Sequence, residues 1–253
     1  MTDPFFTPSG ITIPVTCEPV TFLSEGLKLK GILHLPHVKS PPLVVGSHGL
    51  LSTGDSPKQI ALAHLLNQRG IAYFRFDHRG CGASEGDFAT DITFEKRSRD
   101  LENAIRAVRG KIPEMGSQTG LFGSSMGGAT VIAVSKRIRP RAIVTLAAPV
   151  RLSSINVTPE QMREIPCSDL SALKVRLDFN LSPLLSTLKN ILIFHGGADQ
   201  VVPVSNALEI FRSAQDPKRL ILQQKGDHSV SDPVHQNEFL RETAIWLAKN
   251  LLA

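Results

Sequence analysis

From residue 43 onward, the sequence alternates short apolar or β-branched runs with longer segments of helical period. This alternation is typical of a mostly parallel sheet covered by helices, so it predicts an α/β fold. Residues 19–36 differ, because apolar and polar residues alternate on both sides of Glu25-Gly26. That pattern predicts an antiparallel N-terminal hairpin at a sheet edge. The other predicted strands lie at about 43–47, 72–76, 119–123, 142–147, 191–195 and 219–223. We therefore expect a central sheet of about eight strands with helices on both faces.

Helical spacing of apolar residues marks the segments between these strands. The first begins near Pro57 and ends before Gly70, which matches the preference for proline at the start of a helix and glycine after its end. The predicted helices fall within residues 56–70, 94–110, 126–137, 205–214 and 234–252.

Chain length and one long connection predict the domain organisation. A chain of 253 residues is near the upper size of one hydrophobic core, so we expect a single domain over residues 1–253. Residues 151–190 separate two predicted strands by about forty residues, which is longer than an ordinary loop. Since such insertions emerge where ligands bind to parallel sheets, we expect small helices there that form a lid.

Composition and charge exclude several classes of protein. Apolar residues make up 42% and charged residues 20%, which does not fit a disordered, collagenous or coiled-coil chain. The net charge is +5, but the densest basic run, 135–141, lies at a predicted helix end and has no aromatic stacking platform nearby. We predict no nucleic-acid partner. No apolar run approaches the ~20 residues that cross a bilayer, so we predict no membrane span.

The N-terminus and the cysteines predict the compartment. The first ten residues contain an acid and two prolines where an export signal needs a basic start and an apolar run. Cys17, Cys81 and Cys167 are odd in number and widely spaced, which disfavours a disulfide framework or a zinc site. These features predict a soluble, cytoplasmic protein. The histidines lack the paired spacing of metal ligands, so we also predict no metal, and we expect no cofactor. The oligomeric state stays open, a homodimer included.

The segment GLFGSSMGG, residues 120–128, carries the clearest chemical signal. Gly123-Ser124-Ser125-Met126-Gly127 fits Gly-x-Ser-x-Gly between a predicted strand and a predicted helix, which is the context of a nucleophile elbow. The spacing makes Ser125 the nucleophile and gives Ser124 a packing role. Glycines two residues away on either side give the helix room to approach the strand.

A serine nucleophile needs a general base and an acid that orients it. Asp199 follows a predicted strand, and His228 follows the last one, in the chain order serine, acid, histidine. Asp227 and His195 compete for these roles. We expect Asp227 to be a loop or helix-cap residue, because neighbours in sequence rarely face each other, and His195 to bond its own turn.

The tetrahedral intermediate needs backbone N–H donors at its oxyanion. We assign these donors to Met126, which follows the nucleophile, and to Leu50, in the loop after the strand at 43–47. His48 and Gly49 are expected to shape that loop.

These motifs together resemble the α/β-hydrolase superfamily over nearly the whole chain. The matching segments are SHGLLSTG, FRFDHRGCGASEG, GLFGSSMGG, HGGADQVVP and GDHSV, in the family's order. Within the superfamily the sequence is most similar to small serine esterases of the cinnamoyl or feruloyl esterase kind, and to dienelactone hydrolase and prolyl oligopeptidase relatives. The resemblance implies that Ser125 attacks an acyl ester, His228 transfers the proton and Asp199 stabilises the imidazolium. It also implies a mainly architectural role for the loop from Asp77 to Ser84.

The leading hypothesis is a serine carboxylesterase for small or medium acyl groups, with a small-molecule ester as substrate and an acyl-enzyme intermediate. A serine peptidase or amidase of the prolyl oligopeptidase type is the second hypothesis, although it needs a recognition site for the substrate amine. A non-catalytic binding protein on the same fold is the third, because fold alone does not establish function. Residues 151–190 contain only Phe179 as an aromatic residue, which disfavours an aryl substrate.

Overall fold

The predicted strands form one sheet in the computed structural model, which describes residues 13–111, 118–157 and 159–253. Its order in space is β1-β2-β4-β3-β5-β6-β7-β8. The eight strands are β1 Val15–Ser24, β2 Leu27–Pro36, β3 Leu43–Ser47, β4 Ala72–Phe76, β5 Thr119–Ser124, β6 Ala142–Leu146, β7 Ile191–Gly196 and β8 Lys218–Gln223. Strands β3 to β8 run parallel to one another, whereas β2 pairs antiparallel with both β1 and β4. The predicted α/β class and strand count are confirmed.

The N-terminal hairpin forms at the predicted position. Ser24 pairs with Leu27, and Glu25 and Gly26 between them both have positive φ, 49° and 88°. Two central residues with positive φ match the right-handed twist of the flanking strands. β1 therefore lies at the edge, while β2 joins the hairpin to β4 by antiparallel pairing.

Helices cover both faces of the sheet, as the sequence predicts. They are α1 Pro57–Asn67, α2 Phe88–Asp91, α3 Phe94–Lys111, α4 Met126–Ile138, α5 Pro159–Glu164, α6 Leu170–Arg176, α7 Ser205–Ser213 and α8 Pro233–Leu251. None of the helices in the described residues is long and apolar enough to cross a membrane.

Alternate residues of the buried strands point to opposite faces of the sheet and belong to two different hydrophobic cores. In β7, Ile191 and Ile193 join the core beneath α3, α4 and α7, whereas Leu192 and Phe194 join the core beneath α1 and α8. This follows from the period of two in strand side chains, and it explains why the central strands read as continuous apolar runs. Full burial of a side chain such as Phe194 contributes roughly 1.5–3 kcal/mol.

The long connection between β6 and β7 contains short helices, as expected. Besides α5 and α6 it has two 3₁₀ helices, Leu152–Ser154 and Ser182–Thr187. Leu173 of α6 and Leu177 just after it are buried against Phe88, Ile92 and Cys81, which anchors this segment to the body of the fold. That it acts as a lid stays a prediction.

Candidate active site

Ser125 occupies a strained turn between β5 and α4. Its φ of 54° and ψ of −124° lie outside the regions that non-glycine residues normally adopt. Such backbone strain costs on the order of 1–3 kcal/mol and persists only when the surroundings hold it. Here the Ser125 N–H donates a 2.8 Å hydrogen bond to Leu146 O on the neighbouring strand. The elbow predicted from the motif is therefore present in the backbone.

The glycines around Ser125 allow close backbone approach. A Cβ on Gly123 would collide with the carbonyl of Gly127, and a Cβ on Gly127 would collide with the carbonyl of Ser47. These clashes are with backbone atoms, which cannot rotate away as a flexible side chain can. The room predicted for these two glycines is thus used for packing α4 against β5 and β3.

The structure brings Ser125, His228 and Asp199 together. Ser125 Oγ lies 3.0 Å from His228 Nε2, and His228 Nδ1 lies 2.8 Å from Asp199 Oδ2. The other carboxylate oxygen, Asp199 Oδ1, accepts hydrogen bonds from the N–H groups of Val201 and Val202 at 2.9 and 2.8 Å. Each side chain stands in a loop at the carboxyl end of a parallel strand, where ligands bind in α/β folds.

These contacts determine the tautomer of His228. A carboxylate only accepts hydrogen bonds, so the Nδ1–H of His228 donates to Asp199. In the neutral imidazole Nε2 then carries the lone pair and accepts from the Ser125 hydroxyl. This arrangement can remove the hydroxyl proton as the serine attacks an electrophile.

The competing residues have the structural contacts that the sequence predicts. His195 Nε2 lies 2.8 Å from Val202 O, so this fully buried side chain bonds its own turn. Asp227 accepts hydrogen bonds from the N–H and the hydroxyl of Ser231, at 2.8 and 2.6 Å.

Leu50 and Met126 both line a cavity that also contains Ser125 and His228. Met126 is the first residue of α4, and the first amides of a helix have no acceptor within the helix. Their N–H groups also gain from the positive end of the helix dipole. Among the hydrogen bonds of the described loops and turns, none is donated by the N–H of Leu50 or Met126. Both amides therefore suit the predicted oxyanion role, which stays a proposal.

Buried polar side chains hold the loop that carries Leu50. His48 Nδ1 donates to Gly49 O at 2.6 Å, and His48 Nε2 accepts from the His78 N–H at 3.0 Å. Arg97 Nη2 donates to His48 O at 2.7 Å. Asp77 fixes the far end of the loop, because its Oδ1 accepts from the Gly54 N–H at 2.7 Å. This contact is consistent with the architectural role expected of the Asp77 loop, which stays a prediction.

Arg97 is the residue at this site that the sequence analysis missed. It is fully buried in α3, and Asp100 on the same helix forms a buried ion pair with Arg79 at 2.7 Å. The spacing of apolar residues could have identified it. Arg97 stands three residues after Phe94 and four before Leu101, so it shares the face of the helix that carries these two buried residues. A charged residue on the buried face of a helix indicates a specific partner, here the carbonyl of His48.

The histidines of this network predict a pH dependence of stability. Burial, together with nearby Arg97, lowers the pKa of His78 to about 4. Burial, together with nearby His78 and Arg97, lowers the pKa of His48 well below its usual range. Asp100, whose Oδ2 is 3.6 Å from His78 Nδ1, opposes this shift without cancelling it. An unfolded histidine titrates near 6.5, so the unfolded chain takes up protons first as the pH falls.

We therefore expect the free energy of unfolding to be highest above pH 6.5 and to fall between about pH 6.5 and 4. The expected loss is up to about 1.4 kcal/mol per pH unit for each buried histidine. Urea unfolding of wild-type protein and of His78→Asn at pH 7.5, 6.5 and 5.5 measures it, and the variant should show a smaller slope. A midpoint that stays constant in the wild type over this range would contradict the assignment.

The cavity beside Ser125 has a volume of about 300 Å³. Its walls combine apolar residues with polar ones, including Ser52, Ser56 and Lys58. Ser124 also lines it. Within the described ranges, no group of three or more His, Cys, Asp and Glu side chains is placed to hold a metal ion.

Comparison with known proteins identifies the family and the fold. Residues 39–190 match the model of the family described as serine aminopeptidase, S33. This match includes Ser125 and ends before Asp199 and His228. The chain is 28% identical over 221 residues to the uncharacterized protein YfhR of Escherichia coli O157:H7, which covers 85% of this chain and 74% of YfhR.

Two further similarities concern proteins with a named activity. Thiohydrolase aneE of Aspergillus aculeatus is 34% identical over 131 residues, or 49% of this chain and 40% of aneE. The esterase Pf2001 of Pyrococcus furiosus has the same fold, with a TM-score of 0.76 at 18% identity over 94% of this chain and 92% of that chain. Since the family model spans more than half of the residues, the chain belongs to the serine aminopeptidase S33 family of the α/β-hydrolase superfamily.

Proposed function

We propose that the protein is a serine hydrolase that cleaves carboxylic esters of small or medium acyl groups through an acyl-enzyme intermediate. The observation that carries this proposal is the hydrogen-bonded series from Ser125 to His228 to Asp199, with heavy-atom distances of 3.0 and 2.8 Å. A serine hydroxyl is a weak nucleophile unless a base takes its proton, and this series supplies that base.

The proposed reaction has two halves. In the first, Ser125 Oγ attacks the carbonyl carbon while its proton moves to His228 Nε2, and Asp199 stabilises the imidazolium. The backbone N–H groups of Leu50 and Met126 bind the oxyanion. Collapse of the tetrahedral intermediate breaks the bond to the alcohol oxygen, which takes the proton from His228.

In the second half, water attacks the acyl-enzyme and gives its proton to His228. The same two amides bind the new oxyanion. Collapse then releases the carboxylic acid and returns the proton to Ser125 Oγ, so the enzyme is regenerated without any other reactant.

An aminopeptidase is the second candidate, because the matching family is described by that activity. Such an enzyme must bind a protonated amine next to the scissile bond, which calls for carboxylates in the site. Among the described residues that line the cavity beside Ser125, only Glu164 carries a carboxylate, and it is exposed. This arrangement favours an ester over an aminoacyl amide.

A panel of substrates tests the proposal. We expect the protein to hydrolyse p-nitrophenyl acetate and butyrate with a kcat/KM at least tenfold above that for aminoacyl naphthylamides. An acetyl thioester belongs in the panel, because one relative is named a thiohydrolase. Preference for the naphthylamides would support the aminopeptidase instead, and no turnover of any substrate would favour the non-catalytic binding protein.

The remaining expectations from the sequence stay predictions. They are the single domain with a lid at 151–190, the cytoplasmic location and the absence of a nucleic-acid partner. The sequence makes no prediction of the oligomeric state beyond allowing a homodimer.

A further inference from the structure

A second cavity, of about 520 Å³, lies beside the cavity that contains Ser125. The two cavities share five lining residues: Leu50, Met126, Ile155, Val157 and Ile165. Leu50 and Met126 are the residues whose N–H groups we assign to the oxyanion. The larger cavity therefore begins where the substrate carbonyl would be bound.

The walls of the larger cavity are aliphatic. Most of them come from the segment between β6 and β7, and they include Leu152, Met162, Leu170, Leu173, Val175 and Leu177. The polar lining residues Ser153, Lys174 and Asp178 are exposed, as are the apolar Met162 and Val175, which places all of these at the rim. No aromatic residue is among the described residues that line it. Such walls gain free energy by covering a hydrocarbon chain, and they offer no buried partner for a polar group.

The position of His228 decides which end of an ester enters which cavity. His228 and Ser229 line only the smaller cavity, together with polar residues such as Ser56 and Lys58. Since His228 must give its proton to the leaving group, the alcohol part of the substrate belongs on that side. The acyl part then points from the shared carbonyl position into the larger cavity.

We propose that the larger cavity is the acyl-binding site and that the acyl group it takes is an aliphatic chain of medium length. This proposal rests on the proposed esterase function and adds the substrate class to it. Each methylene that the cavity removes from water is worth about fourfold in kcat/KM.

A chain-length series tests this assignment. With p-nitrophenyl esters from acetate to octanoate, we expect kcat/KM to rise about three- to fourfold for each added methylene until the cavity is filled. p-Nitrophenyl benzoate should be a poorer substrate than the octanoate. A flat or falling series, with the acetate still hydrolysed, would overturn the acyl site and leave the esterase proposal standing.

Leu170→Trp is the diagnostic variant, because Leu170 lines only the larger cavity and a tryptophan there reduces its volume. We expect the octanoate-to-acetate ratio of kcat/KM to fall at least tenfold while acetate hydrolysis stays within about threefold. Ser171→Trp is the matched control, since Ser171 is exposed on the same helix and lines neither cavity. An unchanged ratio in Leu170→Trp, or an equal fall in both variants, would contradict the assignment.

A binding measurement separates this inference from the esterase proposal. We expect decanoic acid to bind wild-type protein and Ser171→Trp, and to bind Leu170→Trp at least tenfold more weakly, by isothermal titration calorimetry. Such binding without hydrolysis of any ester would refute the esterase alone. Equal affinity for all three proteins would refute the acyl site.

Discussion

Replacing Ser125 by alanine is expected to lower kcat for p-nitrophenyl acetate by about 10⁵- to 10⁶-fold, because the covalent route through the acyl-enzyme is lost. The two amides that we propose for the oxyanion remain in this variant, so a small residual rate above that of water is also expected. Steady-state hydrolysis assays measure the change. The concentration of each protein is taken from the absorbance of its gel-filtration peak.

Ser124→Ala is the matched control, because Ser124 is the adjacent serine and lines the same cavity. It has no contact with His228 among the described hydrogen bonds, so we expect kcat within about tenfold of wild type. Equal losses in both variants would mean that Ser125 does not act as the nucleophile.

Replacing Asp199 by asparagine is expected to lower kcat by about 10⁴-fold. Asp199 Oδ1 accepts from the N–H groups of Val201 and Val202, so the amide oxygen of the asparagine would keep that position. Its NH₂ group would then face His228 Nδ1, which lies 2.8 Å from Asp199 Oδ2 in the wild type. An NH₂ group donates, so Nδ1 would have to accept and Nε2 would carry the proton. In that tautomer His228 cannot take the proton of Ser125.

Asp227→Asn is the control for this change, because Asp227 precedes His228 but bonds to Ser231. We expect kcat within about tenfold of wild type and a similar thermal stability for both asparagine variants. A loss of kcat in Asp227→Asn as large as that in Asp199→Asn would contradict the assignment of the orienting role to Asp199.

The strands and the three candidate catalytic residues could be predicted from the sequence because both depend on local patterns. β3, for example, is a run of five buried residues, and a parallel strand covered on both faces must read as apolar throughout. Ser125 is marked by glycines whose side chains would strike backbone atoms, and that requirement is visible in the motif itself. Asp199 and His228 follow strands, so their convergence follows from the parallel order of the sheet.

The support of the site could not be predicted in the same way. Arg97 is one of several arginines in α3, and only the packing of α3 against the loop after β3 shows that it bonds the carbonyl of His48. The larger cavity also depends on tertiary structure, since Leu50, Met126 and Leu173 come from distant parts of the chain. The sequence predicts an insertion at 151–190 from its length alone, whereas the size and lining of the cavity depend on how α5 and α6 pack.

The central claim is that His228 activates Ser125, and reaction with a fluorophosphonate tests it without assuming a substrate. Peptide mass spectrometry of the labelled protein should find the adduct on the peptide that contains Ser125, at that residue, with none in Ser125→Ala and a much slower reaction in Asp199→Asn. An adduct on another residue, or no adduct in the wild type, would contradict the account.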